Sequence, residues 1–393
     1  MFESHTDLHL PGPTIVPPAV RSAIASGLEA DTLNYRSAAF TELLKRVQEK
    51  LRRVVGSDGT PLILPGSGAT GLEAGIRALV GRGDTAIVCS AGFFAEYAVA
   101  IVERLGAQAV RVEAEWGTAI DPTEVATALR AHPGARAVIA THCETSTGVV
   151  HDVRAIAESV TDSDAAFVVD AVSSLVSTEL QADAWGIDMV LSASQKALML
   201  PPGLAIATVS EKAWRAIGER PAETFALDLV GYREAAERGA TPFTPNVPLI
   251  HGLDVACDLI LKDGLDSSWR RHALLRDMTR DGVRALGLRP FAEDAHASST
   301  LTTVALDDAD AVRARLLHDH RFVVGGGLGR VAGRVVRLGH LGWTTPSGVL
   351  RMLAALEASL AREGHEVPLG AGVAAAQRRW LDTSVAQEPS RGS

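Results

Sequence analysis

Cysteine is scarce in this chain: three in 393 residues, Cys89, Cys143 and Cys257, far apart and without a CxxC spacing. A disulfide framework and a structural zinc module are thereby disfavoured, and a reducing, cytoplasmic setting is expected. No apolar run reaches the ~18 residues that a transmembrane helix needs. The first residues, MFESHTDLHLPGP, show no basic region followed by an apolar one, so a secretory signal is not expected either. Excess positive charge is also missing, with 38 basic against 47 acidic residues and a net charge of −9. The basic residues are scattered along helical segments, so nucleic-acid binding is not expected. The twelve histidines form no HExxH, and His318 with His320 reads as a solvated pair.

What is present is a globular composition, 47% hydrophobic and 22% charged. The length exceeds a typical single core, which predicts a large unit and a smaller one. Strand-like and helix-like segments alternate from Asp84 to Val209: strands at 86–88, 109–112, 137–140, 167–169, 189–191 and 205–209, with helices near 95–105, 122–131 and 153–160. This alternation predicts parallel strands with crossover helices on both faces. An amphipathic helix is expected over 39–55, a strand over 62–64 and a helix starting near Leu72. Farther on, 267–286 reads as a helix, and strands are expected at 302–306, 322–324 and 335–338. The expected organisation is an N-terminal arm (1–20), a large unit (21–260), a small C-terminal α/β unit (261–382) and a polar, disordered tail (383–393).

The chemistry concentrates between Phe167 and Val209. Two buried strands each lead to a polar residue, Asp170 and Lys196, and in an open α/β sheet ligands sit at the carboxyl ends of strands. Lys196 is followed by an apolar run and by Pro201, Pro202 and Gly203, a poorly hydrated setting for an ammonium group. Desolvation depresses a lysine pKa and makes the neutral amine accessible. Such amines form Schiff bases with carbonyl compounds, pyridoxal phosphate (PLP) foremost. Upstream, Gly66-x-Gly68-x-x-Gly71 follows a strand and precedes a helix. It matches the dinucleotide fingerprint, which would make the chain a nicotinamide-dependent dehydrogenase. The acid that should close the next strand is replaced by Ser90-Ala91-Gly92, so the loop reads instead as a phosphate cradle on a helix N-terminus.

SASQKALMLPPGLA, preceded by VDAVSS, resembles the class V aminotransferases of PLP fold type I, in particular the alanine–glyoxylate and serine–glyoxylate branch. LPGPTIVPPAV, GSGATGLEA, HCETSTGV, RHALLRDM and GGLGRVAGRVVRLGHLG fall in the family's order, so the resemblance covers nearly the whole chain. It implies a mostly parallel central sheet sandwiched by helices, a smaller C-terminal α/β domain, and PLP bound to Lys196 as an internal aldimine. Asp170 would pair with the pyridine nitrogen, and Ser67, Gly68 and Ala69 would hold the phosphate with Gln195. Phe94 and Val172 would pack on opposite ring faces, and Thr145 would lie near the pyridine oxygen. Thr244 would reach the partner subunit's phosphate, making the unit a homodimer. Arg337, at a strand end, suits a bidentate pair with a substrate carboxylate; Gly12 and Tyr35 fall beside the substrate in the same alignment. His142 and Cys143 are expected to be spectators.

The implied activity is transfer of an amino group from a small amino acid to a small 2-oxo acid such as glyoxylate or pyruvate. Another carbanion reaction on PLP, such as a lyase or retro-aldol step, stays open. So does transamination of free pyridoxamine with pyruvate, because 242–290 is also similar to pyridoxamine–pyruvate aminotransferase. A cysteine desulfurase is disfavoured, since Gln195 stands where that branch has His. A cofactor-free binding protein of the same fold is the remaining alternative.

Overall fold

A computed structural model describes residues 6–30, 32–218 and 223–387. Thirteen strands are described: β1 (Asp7–His9), β2 (Leu62–Gly66), β3 (Thr85–Ser90), β4 (Gln108–Glu113), β5 (Ala137–Thr141), β6 (Cys143–Glu144), β7 (Val149–Val150), β8 (Ala166–Asp170), β9 (Met189–Ala193), β10 (Gly203–Val209), β11 (Leu301–Ala305), β12 (Phe322–Gly326) and β13 (Val335–Gly339). Seven of them form one sheet in the order β2-β10-β9-β8-β5-β3-β4. Its inner strands β5, β8 and β9 are buried throughout and mostly apolar because both faces are covered, whereas the edge strand β4 exposes Gln108, Arg111 and Glu113. On β8, Phe167 and Val169 enter one core cluster, while Ala166 and Val168 enter the cluster on the opposite face.

The sheet is not uniformly parallel. β10 runs against both β9 and β2, whereas β9, β8, β5, β3 and β4 are mutually parallel. A parallel return needs a crossover of a dozen or more residues. Between β9 and β10 lies only the loop 194–202, with no helix, so the chain turns straight back. That loop carries Lys196. The ends of β2, β3, β5, β8 and β9 consequently open on one edge of the sheet.

The helix after β2 begins at Gly68, earlier than Leu72, where the sequence pattern places it. The Ser67 N–H donates to Thr70 Oγ1 (3.1 Å), which caps the helix one turn ahead of its first large apolar residue.

The second sheet has the order β1-β12-β13-β11. One face packs Val304, Val324, Val336 and Leu338 against the helices Leu265–Ala285, Ala309–His320, Pro346–Arg362 and Ala371–Gln387. β1, from the N-terminal stretch, pairs in parallel with β12, Asp7 opposite Phe322. The stretch from Thr383 begins inside the helix Ala371–Gln387, whose start is fixed by Glu357 accepting from the N–H groups of Gly370 (2.7 Å) and Val373 (3.0 Å). Residues 388–393 of the expected tail lie outside the described residues.

Candidate active site

The loops at the open edge of the large sheet enclose a cavity of about 350 Å³. Ser67, Gly68 and Ala69 line it from the capped helix N-terminus, whose first N–H groups have no partner within the helix and suit an anion. Gly68 is required by a close approach, since a Cβ there would lie 2.9 Å from Val172 Cγ2. From the helix after β3, Phe94 and Tyr97 line the cavity, their rings 5.7 Å apart and edge to face. The neighbouring Phe93 does not line it.

Asp170 ends β8 and is 7% exposed. Burial pushes its carboxyl up to about 6, against the pull of the Val172 N–H that donates to Oδ1 at 2.9 Å. Lys196 is 9% exposed. Its amine is pushed down to about 8, chiefly by burial and further by the Arg337 charge, with Cys143, Asp170 and Glu144 opposing. The Lys196 Nζ donates to the carbonyl of Pro11, and Thr14 Oγ1 donates to the Lys196 carbonyl at 3.0 Å. Gly12 fits between them only as glycine: its φ is +111°, and a Cβ would fall 2.4 Å from Lys196 Cδ. Beside Lys196, Gln195 lines the cavity with its Oε1 buried and unpartnered.

Arg337 on β13 stands behind this lining, 9% exposed. Its Nε donates to the Gly326 carbonyl (2.7 Å) and its Nη1 to the Thr145 carbonyl (2.9 Å). Burial lowers the guanidinium to about 10. Thr145 itself lines the cavity, so Arg337 ties the small sheet to the site wall.

One cavity thus gathers Gly12, Ser67, Gly68, Ala69, Phe94, Thr145, Asp170, Val172, Gln195 and Lys196. Three candidates lie apart from it: Arg337, behind the lining, and the pair Thr244 and Tyr35. Thr244 Oγ1 donates to the Tyr35 hydroxyl (3.2 Å) at the surface, and neither residue touches the cavity of its own chain. Cys143 also lines the cavity, its Sγ 3.0 Å from Ser298 Oγ and 3.3 Å from Thr300 Oγ1. His142 is buried outside the lining, its imidazole lowered to about 4 by desolvation. Tyr97 and Glu144 escaped the sequence reading. Tyr97 had a signal, sitting one turn beyond Phe94 on the same helix face; Glu144 had none of local origin.

The alternative dinucleotide site fails on the same geometry. β3 ends in Ser90 and passes through Ala91 and Gly92, leaving no acid at the strand end for a ribose.

Comparison with known proteins agrees over most of the chain. An uncharacterized aminotransferase of Methanocaldococcus jannaschii is 36% identical, the match covering 92% of this chain and 94% of the relative. The serine–glyoxylate aminotransferase of Methylorubrum extorquens is 34% identical over 97% of both chains. The crystal structure of pyridoxamine–pyruvate aminotransferase from Mesorhizobium loti superposes with a TM-score of 0.90 at 30% identity, covering 96% of this chain and 97% of that one. The family model for class V aminotransferases matches residues 8–327. With the PLP fold type I architecture and this match, the chain belongs to the class V aminotransferase family.

Proposed function

We propose that the chain uses PLP to move an amino group from a small amino acid to a small 2-oxo acid of the glyoxylate or pyruvate type. The observation that carries this reading is the pairing of a depressed Lys196 amine with a buried Asp170 on one cavity rim. The cavity fits the cofactor on three further counts. The Gly68 backbone leaves a cradle that a Cβ would fill, the Gln195 Oε1 is buried without a partner, and the helix N-terminus faces the space between them.

In this reading Gly68 and Ala69 would hold the phosphate with backbone N–H groups, Ser67 with its hydroxyl, and Gln195 would add its side chain. Asp170 keeps a proton on the pyridine nitrogen; a positive partner there would draw its own carboxyl back down from about 6. Phe94 and Val172 would hold the ring, with Thr145 on the cavity wall beside it. When bound, PLP supplies the electron sink that lets a Cα–H bond of an amino acid break. The Lys196 amine would take up that Cα proton and return it. Arg337 exchanges its contact with the Thr145 carbonyl for the substrate carboxylate, a stronger, charge-assisted partner.

The exposed Thr244–Tyr35 pair lies outside the cavity of its own chain, which supports a homodimer in which the pair completes the neighbouring site. The phosphate cradle favours this chemistry over transamination of free pyridoxamine. All three thiols are free and buried, as suits a reducing cytoplasm, and no described helix is long and apolar enough to cross a membrane.

Absorbance spectra of the purified protein, with and without added PLP and a panel of small amino acids, test the reading, with Lys196→Ala in parallel. A lysine-dependent visible band that one amino acid converts to the pyridoxamine form is the expected result. No such band after adding PLP overturns the reading, and product formed without the pyridoxamine form redirects it to a lyase-type reaction.

A further inference from the structure

The helix that presents Phe94 to the cavity, Phe93–Arg104, has no N-cap side chain of its own, since its cap position is Gly92. Its three leading N–H groups are all satisfied from a loop some fifty residues away. Ser146 Oγ accepts from Phe93 N (3.0 Å), and Glu144 Oε2 accepts from Phe94 N (3.0 Å) and Ala95 N (3.2 Å). The other carboxylate oxygen, Oε1, accepts from Ser146 N (2.9 Å) and Ser146 Oγ (2.6 Å). Gly92 has an ordinary extended backbone, yet a Cβ there would lie 2.2 Å from Glu144 Cγ, so glycine is required by the carboxylate's approach.

Glu144 is fully buried. Burial alone raises its carboxyl, but three N–H groups and the Ser146 hydroxyl donate to the two oxygens; a proton on Oε2 would meet only N–H groups, and one on Oε1 would displace the Ser146 donation. The positive end of the helix dipole acts in the same direction. The charged form is therefore the one the geometry holds. The ionisable groups that feel this charge are Cys143, Asp170, Lys196 and Arg337.

We propose that Glu144 is the ionised positioning residue of this site: an imported helix cap that fixes Phe94 against the Thr145 wall and whose charge supports the cations of Lys196 and Arg337. The proposal rests on the PLP reading above. Glu144 touches neither substrate nor cofactor in it; it acts through the backbone that carries Phe94 and through its field.

The test compares wild type, Glu144→Gln and Ser146→Ala for PLP affinity, for the pH titration of the lysine-linked chromophore, and for amide exchange at residues 93–95 without cofactor. Glutamine keeps the shape but turns an NH2 toward two donors and removes the charge. Expected for Glu144→Gln is about tenfold weaker PLP binding and at least about tenfold faster exchange, the scale of a lost cap. With the negative charge gone the linked nitrogen holds its proton less well, so its titration moves down by on the order of half a pH unit. Ser146→Ala keeps the charge; its exchange and affinity change in the same sense, while its titration stays put. A wild type that forms no lysine-linked chromophore overturns the aminotransferase reading. A wild type that forms one, beside a Glu144→Gln protein of unchanged affinity and titration, overturns this proposal alone. Should Glu144→Gln not fold, wild-type exchange and affinity in Ser146→Ala overturn it equally.

Discussion

The two sheets solve the burial problem differently. The inner strands of the seven-stranded sheet are apolar on both faces and meet the cavity only with their ends. The four-stranded sheet is apolar on one face; on β13 Val336 and Leu338 join the core while Arg337 between them points the other way, toward Thr145. A strand whose side chains alternate can serve a core and a site along its whole length, whereas a strand buried on both faces can serve a site only at its tip. The large sheet therefore places its polar groups at strand tips, and the small sheet turns a polar face, Arg337 on it, toward the cavity wall.

Four substitutions press on that contrast. Phe167→Ala, in the doubly covered sheet, should cost about 3–5 kcal/mol of stability, read as a shift of the urea midpoint, because the tightly packed site cannot collapse. A loss under about 1 kcal/mol would show that this sheet is not tightly packed there. Arg337→Ala, on the small sheet, should lower kcat/KM for carboxylate-bearing amino acids roughly a hundredfold while leaving the Lys196-linked chromophore intact. Equal losses for amines lacking a carboxylate would break the division of labour.

Asp170→Asn separates chemistry from stability at a strand tip. The buried carboxyl has its pKa raised from 3.8 to about 6, so the folded chain holds this proton more tightly than the unfolded one. Its protonated form favours the fold below about pH 4; that contribution is lost as pH rises through about 6, above which the buried charge is a net cost. The cofactor-free Asn variant, which retains an acceptor for the Val172 N–H, should be more stable at pH 7.5 by about 2 kcal/mol and level with wild type near pH 4. It should also bind PLP less tightly, and higher stability with undiminished binding would refute the assigned role. Smallest is Thr303→Val, opposite Arg337 on β11, where a buried hydroxyl has no partner. Removing it should raise the melting temperature slightly, by the equivalent of about 0.5–1 kcal/mol.

The same contrast explains what the sequence disclosed. Asp170 and Lys196 were legible because a doubly buried strand is an uninterrupted apolar run, and the first polar residue after it marks the sheet edge. Arg337 was legible as a charge within such a run. The reversal of β10 was not visible in periodicity, which is blind to strand direction; the missing helix between Ala193 and Gly203 was its only trace. The start of the helix at Gly68 was hidden because glycine and alanine carry no apolar period, and the capping Thr70 decided it. Glu144 was illegible for a deeper reason. An acid between Cys143 and Thr145 looks like a solvated loop residue, and its burial is set by Phe94 and Ala95, which only tertiary structure brings within reach.

The pairing of β1 with β12 bears on how the protein is made. Asp7, Leu8 and His9 can find their partners only when Phe322, Val323 and Val324 have been synthesised, and Gly12 and Thr14, which follow β1 directly, are the residues that close over Lys196. During translation the large sheet is complete while its lysine still lacks this cover. So long a separation slows the closing step relative to the local folding before it. The cover over Lys196 thus arrives nearly last, set by chain order, and a chain that ends before β12 lacks the pairing that holds the Gly12–Thr14 stretch beside it.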